Sequence, residues 1–244
     1  MRRGVANRVV AEHLGVPRGT IGWWRSEDRR HRGEAYTQPT DCPRCTGREV
    51  DQQAYAYLLG LYLGDGHIIS KYKQHHLSIF CDASRPGLID AAEQAMHLVM
   101  PLPKVGRVQR QGCIEVKSYT LHWTCLFPQH GPGKKHERHI ALEEWQQQIV
   151  DAHPWEFLRG LIHSDGCRVT NWTTRVVAGV KKRYEYPRYF FTNKSDDIRK
   201  LCTDTLTAVG VQWTILARGS DPFNVSIARK ESVALMDAHI GPKY

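Results

Sequence analysis

The chain of 244 residues carries 34 Lys and Arg against 25 Asp and Glu, a formal charge of +9, with 41% apolar and 24% charged residues. This composition excludes a disordered tail or a fibre, and the length admits one large domain or two to three small ones. The longest apolar run, residues 54–64, has 11 residues, well short of the roughly 18 a membrane span needs, so no membrane association is expected. The N-terminal MRRGVANRVV lacks the apolar core of a secretory signal. A cytoplasmic location is therefore expected, with the seven cysteines reduced and either free or metal-bound. The basic excess is spread along the chain and suits a polyanion without identifying one.

In chain order, residues 7–26 (NRVVAEHLGVPRGTIGWWRS) fit a helix-turn-helix, with Ala11 where two helices touch, Gly15 in the turn, and Val10, Leu14, Ile21 and Trp24 facing inward. Arg18, Thr20, Trp23 and Arg25 fall on or beside the second helix, where they suit a base or phosphate role. Only six residues precede this unit, too few for the leading helix that normally closes such a core, so either an active reader or a structural remnant fits residues 1–30. Residues 31–52 turn polar and read as a linker. Within it Cys42-Pro43-Arg44-Cys45 is half of a zinc site; no second pair of matching spacing is evident, and His13 or His31 could complete it.

The rest of the chain repeats. Residues 57–66 read YLLGLYLGDG and residues 157–166 read FLRGLIHSDG, an offset of 100; FCDAS at 80–84 matches FTNKS at 191–195, an offset of 111. The extra 11 residues fall in a basic segment of the second copy, which a lengthened hairpin explains. Strand-like runs at 77–81, 114–117, 189–192 and 223–227, and amphipathic stretches at 87–100 and 196–210, give each copy a helix, strand pair, helix, strand pair order. This is an α+β pattern with two antiparallel sheets. Repeats are expected at 53–133 and 153–244, joined by a connection at 134–152 that follows a Gly, Pro, His and Lys-rich loop at 128–138.

In both copies an apolar helix ends in Asp-Gly, and the glycine suits the left-handed stop common at helix C-termini. A carboxylate there faces the negative end of the helix dipole at a cost of about 0.3 to 1 kcal/mol, so a positive group should sit beside it. Gly60 and Gly64, like Gly160 and Ser164, are four apart and give each helix a small-residue face. Packed on those faces, the helices would bring Asp65 to Asp165. With the backbone carbonyls of Gly64 and Ser164 they would form an all-oxygen metal site suited to Mg²⁺ or Mn²⁺ rather than Zn²⁺. Such a site hydrolyses phosphodiesters.

These motifs, LLGLYLGDG and LRGLIHSDG, resemble the LAGLIDADG motif of homing endonucleases, and two copies in one chain are similar to the single-chain members. The resemblance covers about residues 53–244. It implies two pseudosymmetric αββαββα halves, four-stranded saddles in the DNA major groove, and a metal ligand at the eighth motif position, Asp65 and Asp165. It further implies cleavage of both strands of double-stranded DNA across the minor groove. Leu63 and His163 stand where the namesake has its first Asp, a position that varies and is not the metal ligand.

The same resemblance places basic residues on the last strand of each half, where Lys117 and, in SIARKES, Arg229 and Lys230 are candidates to polarise water or steady a phosphate. Base and phosphate reading is expected from the hairpins: Lys71, Tyr72, Lys73 and Gln74 in the first half, Arg175, Lys181, Lys182 and Arg183 in the second. His130, His136 and His139 in the connecting loop read as DNA-facing or solvated. The leading expectation is a Mg²⁺-dependent site-specific endonuclease acting as a monomer; the alternative is a DNA-binding transcriptional regulator that no longer cuts. An intein is not expected, since the chain opens with Met1 and closes with Gly241-Pro242-Lys243-Tyr244.

Overall fold

In the computed structural model, which describes residues 5–33, 40–71, 74–218, 221–241 and 243, the chain divides into two units at Thr40 and Asp41. The first is a helix pair, α1 (Asn7–Leu14) and α2 (Arg18–His31), turned by Gly15 at φ 64°. Ala11 and Ile21 are buried as expected, but Leu14 is half exposed, because two helices alone cannot enclose a fourth apolar side chain. Arg25 donates to the Asn7 Oδ1 at 2.6 Å and the Val5 carbonyl at 2.7 Å, tying α2 to the start of α1.

The second unit begins with residues expected to be linker. Cys42 is fully buried and a one-turn helix α3 (Pro43–Thr46) follows it. Arg48 donates to the carbonyls of Asp41 and Val99, and the Asp41 carboxylate accepts from the Leu102 amide at 2.7 Å. Segment 41–50 is thus part of the folded body.

The first half then runs α4 (Gln52–Leu63), β1 (Gly66–Lys71), β2 (Gln74–Asp82), α5 (Pro86–Val99), β3 (Val105–Gln109), β4 (Cys113–Tyr119) and α6 (Trp123–Leu126). The second runs α8 (Pro154–Asp165), β5 (Gly166–Val177), β6 (Val180–Thr192), α9 (Asp196–Ala208), β7 (Thr214–Arg218), β8 (Asp221–Ile227) and α10 (Lys230–His239). The connection holds a 3₁₀ turn at Lys135–Glu137 and an unforeseen helix, α7 (Glu144–Ala152). Each half has one antiparallel sheet, ordered β1-β2-β4-β3 and β5-β6-β8-β7. The mixed α+β architecture and the αββαββα order of each half are as the sequence repeat implied.

Asp51 caps α4 by accepting from the Ala54 amide at 2.9 Å. From Ala54 to Leu63 every residue of α4 is buried, as suits a helix apolar all round that lies at the centre of its unit. Its partner is α8, and the two cross at their glycines. A methyl group on Gly60 would lie 2.5 Å from the Phe157 carbonyl oxygen and 2.8 Å from Gly160 Cα; one on Gly160 would overlap the Tyr57 carbonyl oxygen. Backbone therefore packs directly on backbone.

Strand register sorts each sheet into two faces. In the first, Ile68, Leu77, Ile79 and Val116 are buried on the helix side, and His67, Ile69, His76, Ser78, Lys117 and Tyr119 share the other face. In the second, Tyr189, Phe191, Val225 and Ile227 are buried, and Asn171, Thr173, Arg175, Lys182, Tyr186 and Arg188 share the opposite face. The extra residues of the second copy lie where expected: β5 and β6 have 12 and 13 residues against 6 and 9 for β1 and β2. No helix among the described residues is long and apolar enough to cross a membrane.

The glycine crossing gives a stability prediction. Gly160→Ala should destabilise the fold by about 1–3 kcal/mol, the usual cost of overpacking, read as a lower urea midpoint. Gly106→Ala on β3, where an added methyl meets nothing within 4 Å, should leave the stability within about 0.5 kcal/mol of wild type; equal effects of the two would refute direct backbone contact.

Candidate active site

The crossing sets the C-terminal ends of α4 and α8 side by side. A methyl on Gly64 would overlap the Ser164 side chain and lie 3.3 Å from the Asp165 Cγ, so the smallest residue is needed where the second carboxylate approaches. The glycines after the aspartates serve the same end and not the left-handed stop expected of them. Gly166 is extended, at φ −105° and ψ 171°. An added methyl there would lie 2.7 Å from Ile162 Cα, and one on Gly66 would overlap Tyr62 Cα. Each is the first residue of a strand that turns back tightly over its own helix.

Asp65 is open to solvent on one side yet surrounded by protein on the others. That desolvation, and then the Asp165 charge, push its carboxyl up to about 6, while Lys243 and Lys135 pull the other way. The Asp165 carboxyl is also raised by desolvation, with partial relief from the Asn193 amide, which donates to Oδ2 at 2.5 Å, and from the same two lysines.

These lysines are the positive groups that the helix dipoles called for. The Lys135 ammonium donates to the carbonyls of Tyr62, Leu63 and Gly64, the last at 2.7 Å. The Lys243 ammonium donates to the Ser164 carbonyl at 2.9 Å. Burial lowers both amines, Lys135 to about 8, against the pull of the aspartates. Each motif helix thus ends on an ammonium supplied by the segment that follows its own half.

Between the helix ends and the connecting loop lies a cleft of about 500 Å³. Asp165 and Asn193 line it beside a basic set that includes His67, His130, Lys135, Arg138 and Lys194. His136 lines it as well, whereas His139 pairs with Asp197 at 2.9 Å. At the sixth motif position Leu63 is fully buried, and His163 is buried with Nδ1 3.0 Å from the Tyr57 hydroxyl. Burial, then Arg159 and Lys243, hold that imidazole down at about 4, so it is a neutral link between the two motif helices.

The other expected residues are scattered. Lys117 lies on the outer face of β4 with its ammonium over the Tyr119 ring at 5.5 Å, and Lys230 begins α10 in an exposed position. Neither lines the cleft or figures among the charges acting on the two aspartates. Arg175 and Lys182 are paired across the hairpin on the outer face, and in the first half Lys71 pairs in register with Gln74. Lys181 and Arg183 fall on the opposite face, where Arg183 stacks on Trp172 and pairs with Glu185 at 2.7 Å. Arg188, on the outer face, went unremarked in the sequence. Tyr72 and Lys73 lie outside the described residues. In the first unit Arg18 and Trp23 are exposed and Thr20 half-buried, while Arg25 is spent on the helix pair.

The half zinc site is completed by neither His13 nor His31. Cys42 and Cys45 come together with His122 and Cys125, all four ligand atoms within 4.8 Å of one another. The signal in the sequence was His122-x-x-Cys125, the same spacing as the first pair, hidden 77 residues away by its mixed His and Cys character.

No family model and no curated protein sequence matches the chain. Solved structures do. Mesophilic variants of the homing endonuclease I-DmoI match at 18% identity over 79% of this chain and 91% of theirs, with a TM-score of 0.54. I-DmoI in complex with DNA and Mn matches at 17% identity over 79% of this chain and 98% of that one, also at 0.54. The chain therefore has the fold of the LAGLIDADG homing endonucleases.

A pH test follows from the raised carboxyl. Between pH 3.8 and about 6 the folded chain holds a proton on Asp65 that the unfolded chain has lost, so this group's contribution to stability falls as pH rises through that window. In metal-free protein, the urea midpoint of wild type should drop relative to Asp65→Asn between about pH 4 and pH 7. Parallel pH profiles would show that the carboxylates do not meet.

Proposed function

We propose that this chain is a divalent-metal-dependent, site-specific double-strand DNA endonuclease of the LAGLIDADG homing type. The observation that carries this reading is the convergence of Asp65 and Asp165 at the joined ends of α4 and α8, with Asp165 on the wall of a cleft that Lys135, Arg138 and Lys194 also line. The structural neighbours support it, since I-DmoI is described in complex with DNA and Mn and, in a variant, with its target DNA and Mg.

The donors fit a hard cation. The Asp65 and Asp165 carboxylates and the Gly64 and Ser164 carbonyls are all oxygen, the set that favours Mg²⁺ or Mn²⁺. Both carbonyls already draw an ammonium ion, which attests their attraction for positive charge. Bound there, such ions would lower the pKa of an attacking water and stabilise the leaving oxygen. Burial first, and then the neighbouring Asp165 charge, raise the Asp65 carboxyl, and a cation between the two carboxylates would relieve that repulsion.

The chain's own residues supply the rest. Lys135 and Lys243 neutralise phosphate charge at the cleft, a role the sequence suggested for Lys117 and Lys230. Lys117 instead steadies backbone phosphates from the saddle face, and Lys230 remains a peripheral phosphate contact. Lys71, Arg175, Lys182 and Arg188 contact the duplex from the hairpins, Lys181 and Arg183 from the flank of the longer one. Arg18 and Thr20 provide further contacts from the N-terminal helix pair. The protein works as a monomer, since each chain holds both carboxylates.

One observation favours a second reading, a DNA-binding regulator that does not cut. Lys135 and Lys243 already offset the two helix ends with charges of the chain's own. Incubation with a randomised duplex library in Mg²⁺, and separately in Ca²⁺, separates the two when bound and cut molecules are both recovered. Cuts at one selected sequence in Mg²⁺ are expected, and Asp65→Asn or Asp165→Asn should abolish them with binding retained. Lys135→Met should slow cutting on the order of 10²-fold, as loss of one transition-state donor does. Selective binding without cuts in Mg²⁺ or Mn²⁺ would establish the regulator.

A further inference from the structure

The cysteine cluster has no part in the cleft chemistry, and its geometry is that of a metal site in its own right. Cys42-Pro43-Arg44-Cys45 forms a tight knuckle. The Cys45 and Thr46 amides both donate to the Cys42 carbonyl at 3.0 Å, and Gly47 closes the turn at φ 72°. The amides of Cys45 and Arg44 also point at the buried Cys42 sulfur. Opposite stands the one-turn helix α6, with His122 at its cap and Cys125 one turn on.

The spacing between these groups decides what they are for. Cys45 Sγ lies 3.3 Å from the His122 Nδ1 and 3.8 Å from the Cys125 Sγ, and Cys125 Sγ lies 3.8 Å from the same Nδ1. Tetrahedral zinc, with bonds of about 2.3 Å to sulfur and about 2.0–2.1 Å to nitrogen, places its ligand atoms about 3.5–3.8 Å apart. A disulfide would need the sulfurs at about 2.05 Å. As thiolates the three sulfurs would repel one another at these distances, a cost that a dication between them removes.

We propose that Cys42, Cys45, His122 and Cys125 bind one structural Zn²⁺ ion. Three sulfur donors and one imidazole select zinc over Mg²⁺ or Mn²⁺, so this site and the carboxylate site take different metals. Four protein ligands leave no open position, which makes the site structural rather than catalytic. Its mechanical effect is to staple the segment entering α4 to the segment leaving β4. Arg44, between the two cysteines, lies over the Trp145 ring at 4.7 Å, and Trp145 packs on Tyr55 of the motif helix at 5.3 Å. The clamp therefore bears on the start of the helix that ends at Asp65.

Metal analysis of the full chain, purified without an affinity metal, tests this independently of any DNA cleavage. One zinc per chain is expected, released when the thiols are alkylated. Cys45→Ser with Cys125→Ser should lose it, whereas Cys113→Ser, outside the cluster, should keep it. Cobalt substitution of the wild-type chain should give the intense visible bands of a tetrahedral thiolate site, which settles the matter if the double variant fails to fold. Seven freely titrating thiols with no zinc and no cobalt spectrum, or a Cys45–Cys125 disulfide found by mass spectrometry, would overturn the proposal.

Discussion

The structure turns on one electrostatic constraint, the meeting of two helix C-termini and two carboxylates at a single point. Each helix end carries the equivalent of about half a negative charge, and Asp65 and Asp165 add to it. Only the glycine crossing makes the approach possible, because any side chain at Gly60 or Gly160 would hold the backbones apart. Lys135 and Lys243 offset part of the charge, yet burial keeps both carboxyls raised. A stability cost of this kind persists where the same charge serves to bind something positive. The point where the two motif helices bring like charges together is thus also the candidate active site.

Much of this was legible in the sequence because it is local or repeated. Two copies of one motif 100 residues apart implied the halves and the strand pairs, the rise of that offset to 111 implied the extended hairpin, and the dipole argument called for cations at the helix ends. It could not say which cations. Lys135 and Lys243 follow their aspartates by 70 and 78 residues, and nothing in their local sequence marks them among the chain's other lysines. Lys117 and Lys230 were favoured through the resemblance alone, and strand register places Lys117 on the sheet's outer face.

Register explains the other departures. Arg175, Lys181, Lys182 and Arg183 look alike as a basic run, but alternation along a strand sends Arg175 and Lys182 to one face and Lys181 and Arg183 to the other. A shift of one residue would reverse that assignment, and only the pairing across the hairpin fixes it. The motif glycines show a similar limit. A glycine after an aspartate reads as a turn former, but here the need is space, since Gly66 and Gly166 are extended and crowded by their own helices. Crowding depends on three-dimensional packing and leaves no trace in the adjacent residues.

The two halves keep one topology but brace it by different means. The first is held by the buried Tyr55–Gln146–Gln129 hydrogen-bond network and the cysteine cluster beside it. The second is held by Asp237 of α10, which accepts from Arg168 at 2.6 Å and from the Tyr189 hydroxyl at 2.6 Å, pinning the helix to β5 and β6. Their outer faces differ as well: histidines, Ser78, Lys117 and Tyr119 in the first, and Asn171, Thr173, Arg175, Lys182 and Arg188 on a longer hairpin in the second. Symmetry is kept in the topology and at the motif helices, and is released over the surfaces around them. On the proposed function, a single chain so built would read two unlike half-sites, because a palindrome mirrors a symmetric reader and this reader's faces are not alike.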